Sequence, residues 1–189
     1  MDRLTTFARR IQFSDYMCAD VCDLHIWIFW KCMDTVEYVD ALSQYITVKV
    51  STNGMEFLFT FVYEKSDAVE RTNLRKHLSD FQSSSYAWYI GGDFNTIADN
   101  SEKKGGVAYS STTVKDFKNF MSSNGLMDLG FVGSKYTWRN NRKGTSRIWG
   151  WLDRCLVNLQ GLDSFSHTKV THISRSLSDH NPLVVYINK

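Results

Sequence analysis

The chain alternates short apolar segments with polar turns, and most of the apolar segments have the spacing of β-strands. Strands are predicted at residues 25–31, 45–51, 55–63, 87–90, 136–139, 146–149, 152–157, 169–173 and 183–187. Asn53 and Gly54 separate the second and third of these runs, and this dipeptide between apolar segments favours a tight hairpin turn. The pattern therefore predicts a β-rich domain with several strand pairs.

Three other segments have the apolar spacing of a helix. They cover residues 4–11, a stretch that begins at the capping residue Asp67, and residues 112–123. In the second helix the apolar residues of one face are Leu74, Leu78 and Phe81. The residues expected on its outer, solvent-facing side are Arg71, Arg75 and Lys76. Strands and helices together predict a mixed α/β domain.

Length and composition fit a single domain. At 189 residues, with 43% hydrophobic and 14% aromatic residues, the chain can bury a sizeable core. The apolar segment at residues 25–30 is far shorter than the ~20 residues of a membrane-spanning helix, so we expect no membrane association. The formal net charge of +2 is compatible with nucleic-acid binding but does not demonstrate it. The four cysteines lack framework spacing, which favours free thiols in an intracellular protein.

Two polar motifs at strand ends carry the candidate chemistry. Residues 91–95, Gly-Gly-Asp-Phe-Asn, follow an apolar run, and residues 178–182, Ser-Asp-His-Asn-Pro, precede one. The two glycines allow a tight turn, so that Asp93 and Asn95 project from the rim of a sheet. If His180 reaches the same rim, a carboxylate, an amide and an imidazole share one pocket, which suits phosphodiester hydrolysis.

A series of short segments, in a fixed order, resembles a known family. The segments are 61–63 (Phe-Val-Tyr), 67–71 (Asp-Ala-Val-Glu-Arg), 91–95, 102–106 (Glu-Lys-Lys-Gly-Gly), 128–131 (Asp-Leu-Gly-Phe), 136–138 (Tyr-Thr-Trp), 147–149 (Arg-Ile-Trp), 152–154 (Leu-Asp-Arg) and 178–180 (Ser-Asp-His). In this order they resemble the endonuclease/exonuclease/phosphatase superfamily, of the exonuclease III and DNase I type. More narrowly, they resemble the endonuclease domains of plant non-LTR retrotransposons. The resemblance implies a four-layer α/β sandwich, in which two packed, mostly antiparallel β-sheets have helices outside.

The resemblance also implies roles for individual residues in phosphodiester cleavage that depends on Mg²⁺, or on Mn²⁺ in its place, with metal binding expected to be weak here. Asp93 would orient or deprotonate the attacking water, and Asn95 would hold the water and the phosphate. Asp179 would lie beside the metal. His180, hydrogen-bonded to Asp153, would contact a phosphate oxygen where negative charge develops.

Further residues have weaker implied roles. Tyr63 matches the tyrosine with which the family contacts phosphate. The basic residues expected to contact DNA backbone are Arg142, Lys143 and Arg147, although charged loops are commonly only solvated. No small-molecule cofactor is implied, and a nuclear location rests on the resemblance alone.

Several of these residues also have simpler interpretations. Asp93 and Asn95 are both good turn formers after a strand. Asp153 could form a surface ion pair with Arg154 or Arg147. Packing is favoured over base stacking for Trp138 and Trp149, because most aromatic residues belong to the core. Zinc ligation is disfavoured for Cys18, Cys22, His25 and Cys32, whose spacing departs from paired-ligand patterns.

The resemblance also identifies parts of the family pattern without a counterpart here. The family begins with a strand that carries an asparagine, a helix, and a strand that ends in the principal metal-binding glutamate. We therefore expect residues 1–189 to form one partial domain without that strand-helix-strand unit. None of the nearby acids Glu37, Glu56 and Glu64 has the required context.

This gap in the pattern predicts weak or absent catalysis, because even loss of an outer-shell partner typically costs 10–100-fold in metal affinity or activity. Exposed sheet edges and self-association are expected for the same reason. The sequence leaves two alternatives open. One is a complete enzyme that recruits another acid, and the other is a non-catalytic module that binds nucleic acid or protein.

Overall fold

A computed structural model describes residues 3–18, 26–81 and 86–188. Its α-helices are α1 (Arg3–Arg10), α2 (Ala68–Phe81), α3 (Ser111–Ser123) and α4 (Leu159–Ser164). The strands are β1 (Asp15–Cys18), β2 (Trp27–Trp30), β3 (Thr35–Leu42), β4 (Tyr45–Thr52), β5 (Met55–Tyr63), β6 (Trp88–Asp93), β7 (Lys103–Lys104), β8 (Leu126–Asp128), β9 (Val132–Gly133), β10 (Trp138–Arg139), β11 (Trp149–Gly150), β12 (Asp153–Asn158), β13 (Lys169–His172) and β14 (Leu183–Tyr186).

A six-stranded sheet organises the domain, with the strand order β3-β4-β5-β6-β12-β8. Its neighbouring strands are antiparallel except β5 and β6, which run parallel and are connected by α2. The β4–β5 hairpin turns at Asn53 and Gly54, both with positive φ, as predicted from that dipeptide. Because β5 and β6 are parallel, Tyr63 and Asp93 finish their strands side by side at one rim.

Layers pack on both faces of this sheet. On one face, α2 and α3 cover a core that includes Leu78, Ile90 and Phe117. On the other face, the sheet β14-β13-β9 packs through Tyr89 and Val170. The two-stranded sheet β1-β2 packs on the same side beside it, and the side chain of Phe7 in α1 contacts the rings of Trp27 and Phe29 in β2. The result is the expected mixed α/β arrangement of packed sheets with helices outside.

The helix boundaries follow from capping groups. Oδ1 of Asp67 accepts hydrogen bonds from the backbone N–H groups of Val69 and Glu70 at the start of α2, as predicted. Ser110 caps α3 through the backbone N–H of Thr113, and Asn124 follows its last residue.

The prediction that Arg71 and Arg75 face outward is wrong. Both residues are buried, with 7% and 8% of their surface exposed. The side chain of Arg75 lies over the ring of Phe117 and binds the buried carboxylate of Glu64, so its apolar stem and its charge are both accommodated inside.

Other differences concern short or polar strands. The segment 146–149 was expected to be a strand, but residues Gly144–Ser146 form a 3₁₀ turn and only Trp149 of the segment belongs to a strand, β11. The edge strand β3 was missed because its residues are mostly exposed and do not alternate clearly. The segments β1, β7, β8, β9 and α4 are each short and were also missed.

Two further expectations concern cysteines and membranes. Cys32 and Cys155 are free thiols. Cys22 and His25, which belong to the disfavoured zinc set, lie outside the described residues. None of the helices in the described ranges combines the length and apolar character needed to span a bilayer.

Candidate active site

Two acids face each other across neighbouring strands at the rim of the large sheet. Asp93 ends β6 and Asp153 begins β12, and the antiparallel register of these strands pairs the two residues directly. Both are almost buried, with 8% and 9% of their surface exposed. Like charges placed opposite each other destabilise a sheet, so this pairing requires a cation or a proton nearby.

His180 supplies such a group between the two acids. Its Nδ1 lies 2.9 Å from Oδ2 and 3.1 Å from Oδ1 of Asp153, the contact that the resemblance implied. Its Nε2 lies 3.9 Å from Oδ2 of Asp93. Burial lowers the pKa of His180, but the hydrogen bond to Asp153 and the nearby acids outweigh burial and raise the pKa above its usual value.

Thr137 connects the segment that carries His180 to the strand that carries Asp153. Its buried hydroxyl oxygen accepts hydrogen bonds from the backbone N–H groups of Leu152 and Asp153, each at 3.0 Å. Its carbonyl accepts one from the N–H of Asn181 at 2.7 Å. An isolated β-bridge also pairs Trp138 with His180. Hydrogen bonds through Thr137 therefore connect two segments that are far apart in sequence.

The pKa of the Asp93 carboxyl group is higher than usual. Burial raises its pKa to about 6, and the charge of Asp153 acts in the same direction. The backbone N–H of Asn95 donates to Oδ1 of Asp93 at 2.8 Å and opposes this effect. A carboxylate that changes its charge near neutral pH is suited to accepting a proton from water.

Asn95 is held in the turn after β6. Its φ of +46° lies in the left-handed region, which asparagine tolerates better than most residues. Its side-chain Nδ2 donates to the backbone carbonyl of Glu64 at 2.7 Å. Gly92, which lies in β6 just before Asp93, has a φ of +140°. A Cβ at this position would lie 2.0 Å from the carbonyl oxygen of Val62. Only glycine fits this close approach between β5 and β6.

Asp93, Asp153 and His180 form a group that is placed to hold a metal ion, since one ligand atom from each lies within 4.8 Å of the others. The donor set also fits a divalent cation chemically. A cation would offset two opposed carboxylates, and a ligating imidazole commonly gives its other nitrogen to a carboxylate, as His180 does with Asp153.

Asp179 does not belong to this group, although the resemblance made it the metal-adjacent residue. Its Oδ2 accepts a hydrogen bond from Nε1 of Trp138 at 3.1 Å. Its backbone carbonyl accepts from the N–H of Arg139 and from Nη1 of Arg175. The negative charge of Asp179 nevertheless contributes to raising the pKa of Asp93 and that of His180.

Tyr63 lies at the rim where the resemblance required it. It is the last residue of β5, in register with Asp93, and its side chain is exposed. The interpretation of Asp153 as a partner of Arg154 is not what the structure has. Arg154 instead binds Glu102 at 2.6 Å and Asp128 at 2.7 Å.

A basic ribbon adjoins the site, defined here as β7, β10, β11 and the loop at residues 140–148. The strand order is β10-β11-β7, and the bridge at Trp138 connects the ribbon to the segment with His180. Arg142 and Lys143 are exposed in its loop, and Arg147 is half-buried. The guanidinium of Arg147 and Nζ of Lys104 lie 5.6 and 5.3 Å from the ring centre of Trp149.

Some residues near the site were missed in the sequence. Glu64 had been considered as a replacement acid, but its side chain is fully buried against Arg75. The hydroxyl of Tyr109 donates to the backbone carbonyl of Asn95 at 3.4 Å, and Lys103 lies over its ring. No local motif marks Tyr109. Thr137 lies in the Tyr-Thr-Trp segment, but that segment does not reveal its contacts, which depend on parts of the chain that meet only after folding.

Solved structures similar to this one are nucleases and related phosphoryl-group enzymes. The endonuclease domain of TRAS1, a telomere-specific non-LTR retrotransposon, superposes with a TM-score of 0.61 at 20% identity, over 80% of this chain and 68% of that chain. The 3′ phosphatase NExo from Neisseria, bound to a product DNA hairpin, has a TM-score of 0.64 at 14% identity, over 100% and 86%. Beta toxin from Staphylococcus aureus, with bound magnesium ions, has a TM-score of 0.53 at 17% identity, over 77% and 58%.

No protein-family profile and no curated protein sequence matches this chain. The structural similarity is nevertheless consistent across these neighbours and covers most of the domain. The chain therefore has the DNase I-like fold, the fold of the endonuclease/exonuclease/phosphatase superfamily.

Proposed function

We propose that this chain is a metal-assisted phosphodiesterase domain of the endonuclease type, of retrotransposon origin and of low activity. The observation that carries this proposal is the group of Asp93, Asp153 and His180 at the rim of a DNase I-like fold. The similarity to the TRAS1 endonuclease domain supports the origin, and the neighbour bound to a DNA hairpin supports DNA as the substrate.

Each residue has a role that its geometry allows. His180, kept protonated by the carboxylate of Asp153, donates from Nε2 to a phosphate oxygen where charge develops. Asp93 aims an attacking water and accepts its proton. Asn95 and Tyr63, at the same rim, contact the phosphate. The negative charge of Asp179 helps to raise the pKa of Asp93.

Mg²⁺, or Mn²⁺ in its place, would be held by the carboxylates of Asp93 and Asp153, while the protonated His180 stays free to donate to the phosphate. When bound, such an ion neutralises phosphate charge and lowers the pKa of a coordinated water. The neighbour with bound magnesium ions supports this choice.

Low activity is expected from the composition of the group. Within the described residues it contains two aspartates and one histidine and no glutamate, and Nδ1 of the histidine is already engaged by one of the aspartates. Mg²⁺ prefers oxygen ligands, so a set that is sparse in free carboxylates should bind it weakly.

A plasmid-nicking assay tests the proposal. Supercoiled DNA is incubated with the wild type, His180→Ala, Asp93→Asn and the control Lys76→Ala, whose residue lines the groove between α2 and α3. We expect slow nicking that requires Mg²⁺ or Mn²⁺, a loss of at least about 100-fold in the first two variants, and no change in the control. Nicking that survives His180→Ala, or none at all with the wild type at high protein concentration, would contradict the proposal.

A second function, non-catalytic binding of nucleic acid, is favoured by the basic ribbon. Its exposed Arg142 and Lys143 lie on the ribbon that bridges to His180, together with Arg147 and Lys104 around Trp149. Side chains of this kind contact phosphates without reading sequence.

Salt dependence separates binding from cleavage. For backbone contacts, the logarithm of the association constant falls with the logarithm of salt concentration by about 0.9 per phosphate contacted. We expect Arg142→Ala/Lys143→Ala to reduce this slope by roughly two units, and Lys76→Ala to leave it unchanged. Steep salt dependence without cleavage supports the binding function, and absence of binding at low salt excludes it.

A further inference from the structure

A buried ion pair lies directly behind the candidate active site. The side chain of Glu64 is fully buried, and that of Arg75 is 10% exposed. Nε and Nη2 of Arg75 donate to Oε1 and Oε2 of Glu64 at 2.9 and 3.0 Å. Two parallel hydrogen bonds of this kind hold both side chains in one geometry, which a single point charge would not do.

Glu64 is also the residue whose backbone contacts the turn of the site. Its N–H donates to the carbonyl oxygen of Asp93 at 2.8 Å. Its own carbonyl accepts the hydrogen bond from Nδ2 of Asn95 at 2.7 Å. Because β5 ends at Tyr63, Glu64 lies just beyond the strand. The anchored side chain therefore adds a restraint to a backbone segment that lies beyond the end of β5 and is held to β6 by its hydrogen bond to Asp93.

Arg75 joins this segment to the helical layer. It belongs to α2, and its guanidinium lies 4.9 Å from the ring centre of Phe117 in α3. The ring of Phe94, next to Asp93, lies 5.3 Å from the same phenylalanine. The ion pair thus occupies a packed layer between the two long helices and the turn of the site.

We propose that the Glu64–Arg75 pair positions Asn95 and Asp93, with Arg75 as the positioning residue. The proposal rests on the proposed function only in that Asn95 and Asp93 serve the site. Stability alone is a weak reason for such a pair, because replacing a buried ion pair by apolar residues is often neutral or stabilising. A requirement for one fixed direction of the Glu64 backbone explains why two charged residues are placed here.

The test measures the position of Asn95 directly and its consequence for metal binding. NMR on ¹⁵N-labelled protein follows the side-chain amide of Asn95, assigned by its loss in Asn95→Ala, and Mn²⁺ affinity is measured by water-proton relaxation. The variants are Arg75→Met and the double variant Glu64→Leu/Arg75→Met. Lys49→Met, which removes an exposed ion pair with Glu56, is the matched control.

In the wild type we expect a protected Asn95 side-chain amide. In both variants the amide should move to a solvent-exposed position, and Mn²⁺ affinity should fall about 10-fold or more, while Lys49→Met changes neither. The double variant leaves no unpaired buried charge, so its measurements decide the outcome if Arg75→Met does not fold. A folded double variant with an unchanged Asn95 amide and Mn²⁺ affinity overturns the proposal.

Failure of the positioning role and failure of the proposed function give different results in these experiments. If the wild type neither binds Mn²⁺ nor nicks DNA, the phosphodiesterase proposal fails, but the Asn95 amide still reports whether the ion pair positions it. An unmoved amide in the double variant would then be sufficient to reject the positioning role.

Discussion

Asp93 and Asp153 are directly opposite each other on the antiparallel strands β6 and β12, and both are almost buried. When both carboxylates are charged, their repulsion destabilises the pairing of the two strands. His180 partly resolves it by binding one carboxylate and facing the other. Four predictions follow from this arrangement and from the packing around it.

The first concerns the charge of His180. Replacing Asp153 by asparagine removes the negative charge and the charge-assisted hydrogen bond that favour the imidazolium. We therefore expect Asp153→Asn to lower the pKa of His180. An NMR titration of the His180 ring measures it. An unchanged His180 pKa would show that Asp153 does not control its protonation.

The second concerns the dependence of stability on pH. The folded-state pKa of Asp93, about 6, is higher than its usual value of 3.8. The folded protein therefore binds a proton more tightly than the unfolded chain, and the stabilisation present below about pH 4 is lost as pH rises through about 6.

Asp93→Asn should consequently be more stable than the wild type at pH 7.5, by roughly 1–3 kcal/mol, and the difference should shrink towards pH 4. Urea unfolding at several pH values measures it. The same variant is expected to lose nicking activity, so a gain in stability would accompany a loss of function. Equal stability at every pH would contradict a raised pKa.

The third concerns the close approach between β5 and β6. A Cβ at Gly92 would meet the carbonyl oxygen of Val62, and the backbone conformation itself disfavours a side chain. Gly92→Ala should therefore destabilise the protein by roughly 3–5 kcal/mol. Gly54 has a φ of +72° but open space around it, so Gly54→Ala should cost only about 1 kcal/mol. Thermal unfolding of both variants gives the comparison, and similar losses would argue against the steric explanation.

The fourth concerns Arg154, whose side chain is 1% exposed and bound to Glu102 and Asp128. Arg154→Met would leave two acids without their partner, and we expect a loss of roughly 3–5 kcal/mol. Lys49→Met, which breaks an exposed pair with Glu56, should have no measurable effect. Denaturant unfolding distinguishes the two, and an equally small effect of Arg154→Met would show that the network is not needed for folding.

The sequence predicted the parts of the fold that depend on local signals. The Asn53-Gly54 hairpin, the Asp67 cap and the long apolar strands around them each have a local cause, and each is confirmed. The edge strand β3 was missed because an edge strand can be largely exposed and need not alternate. The inward direction of Arg75 was missed because the pattern of a helix cannot reveal the buried carboxylate of Glu64, which lies outside that helix.

For the site, the sequence and the family resemblance together named candidate residues, and only the fold brings Asp93, Asp153 and His180 into contact. Asp93 and His180 are 87 positions apart, and no spacing rule indicates that their side chains approach to 3.9 Å. Tyr109, which contacts Asn95, lies in no recognisable motif. The Tyr-Thr-Trp segment contains Thr137 but does not reveal its hydrogen bonds to the strand that carries Asp153. Their roles depend on register between strands, which is decided by the whole core.

The β-bridge between Trp138 and His180 gives the domain a mechanical property. The same backbone that forms one edge of the basic ribbon also holds the residue with the imidazole. If the ribbon binds nucleic acid as proposed, the bound strand would be attached to the same backbone that positions the imidazole. Binding at the ribbon and the orientation of His180 would then be coupled.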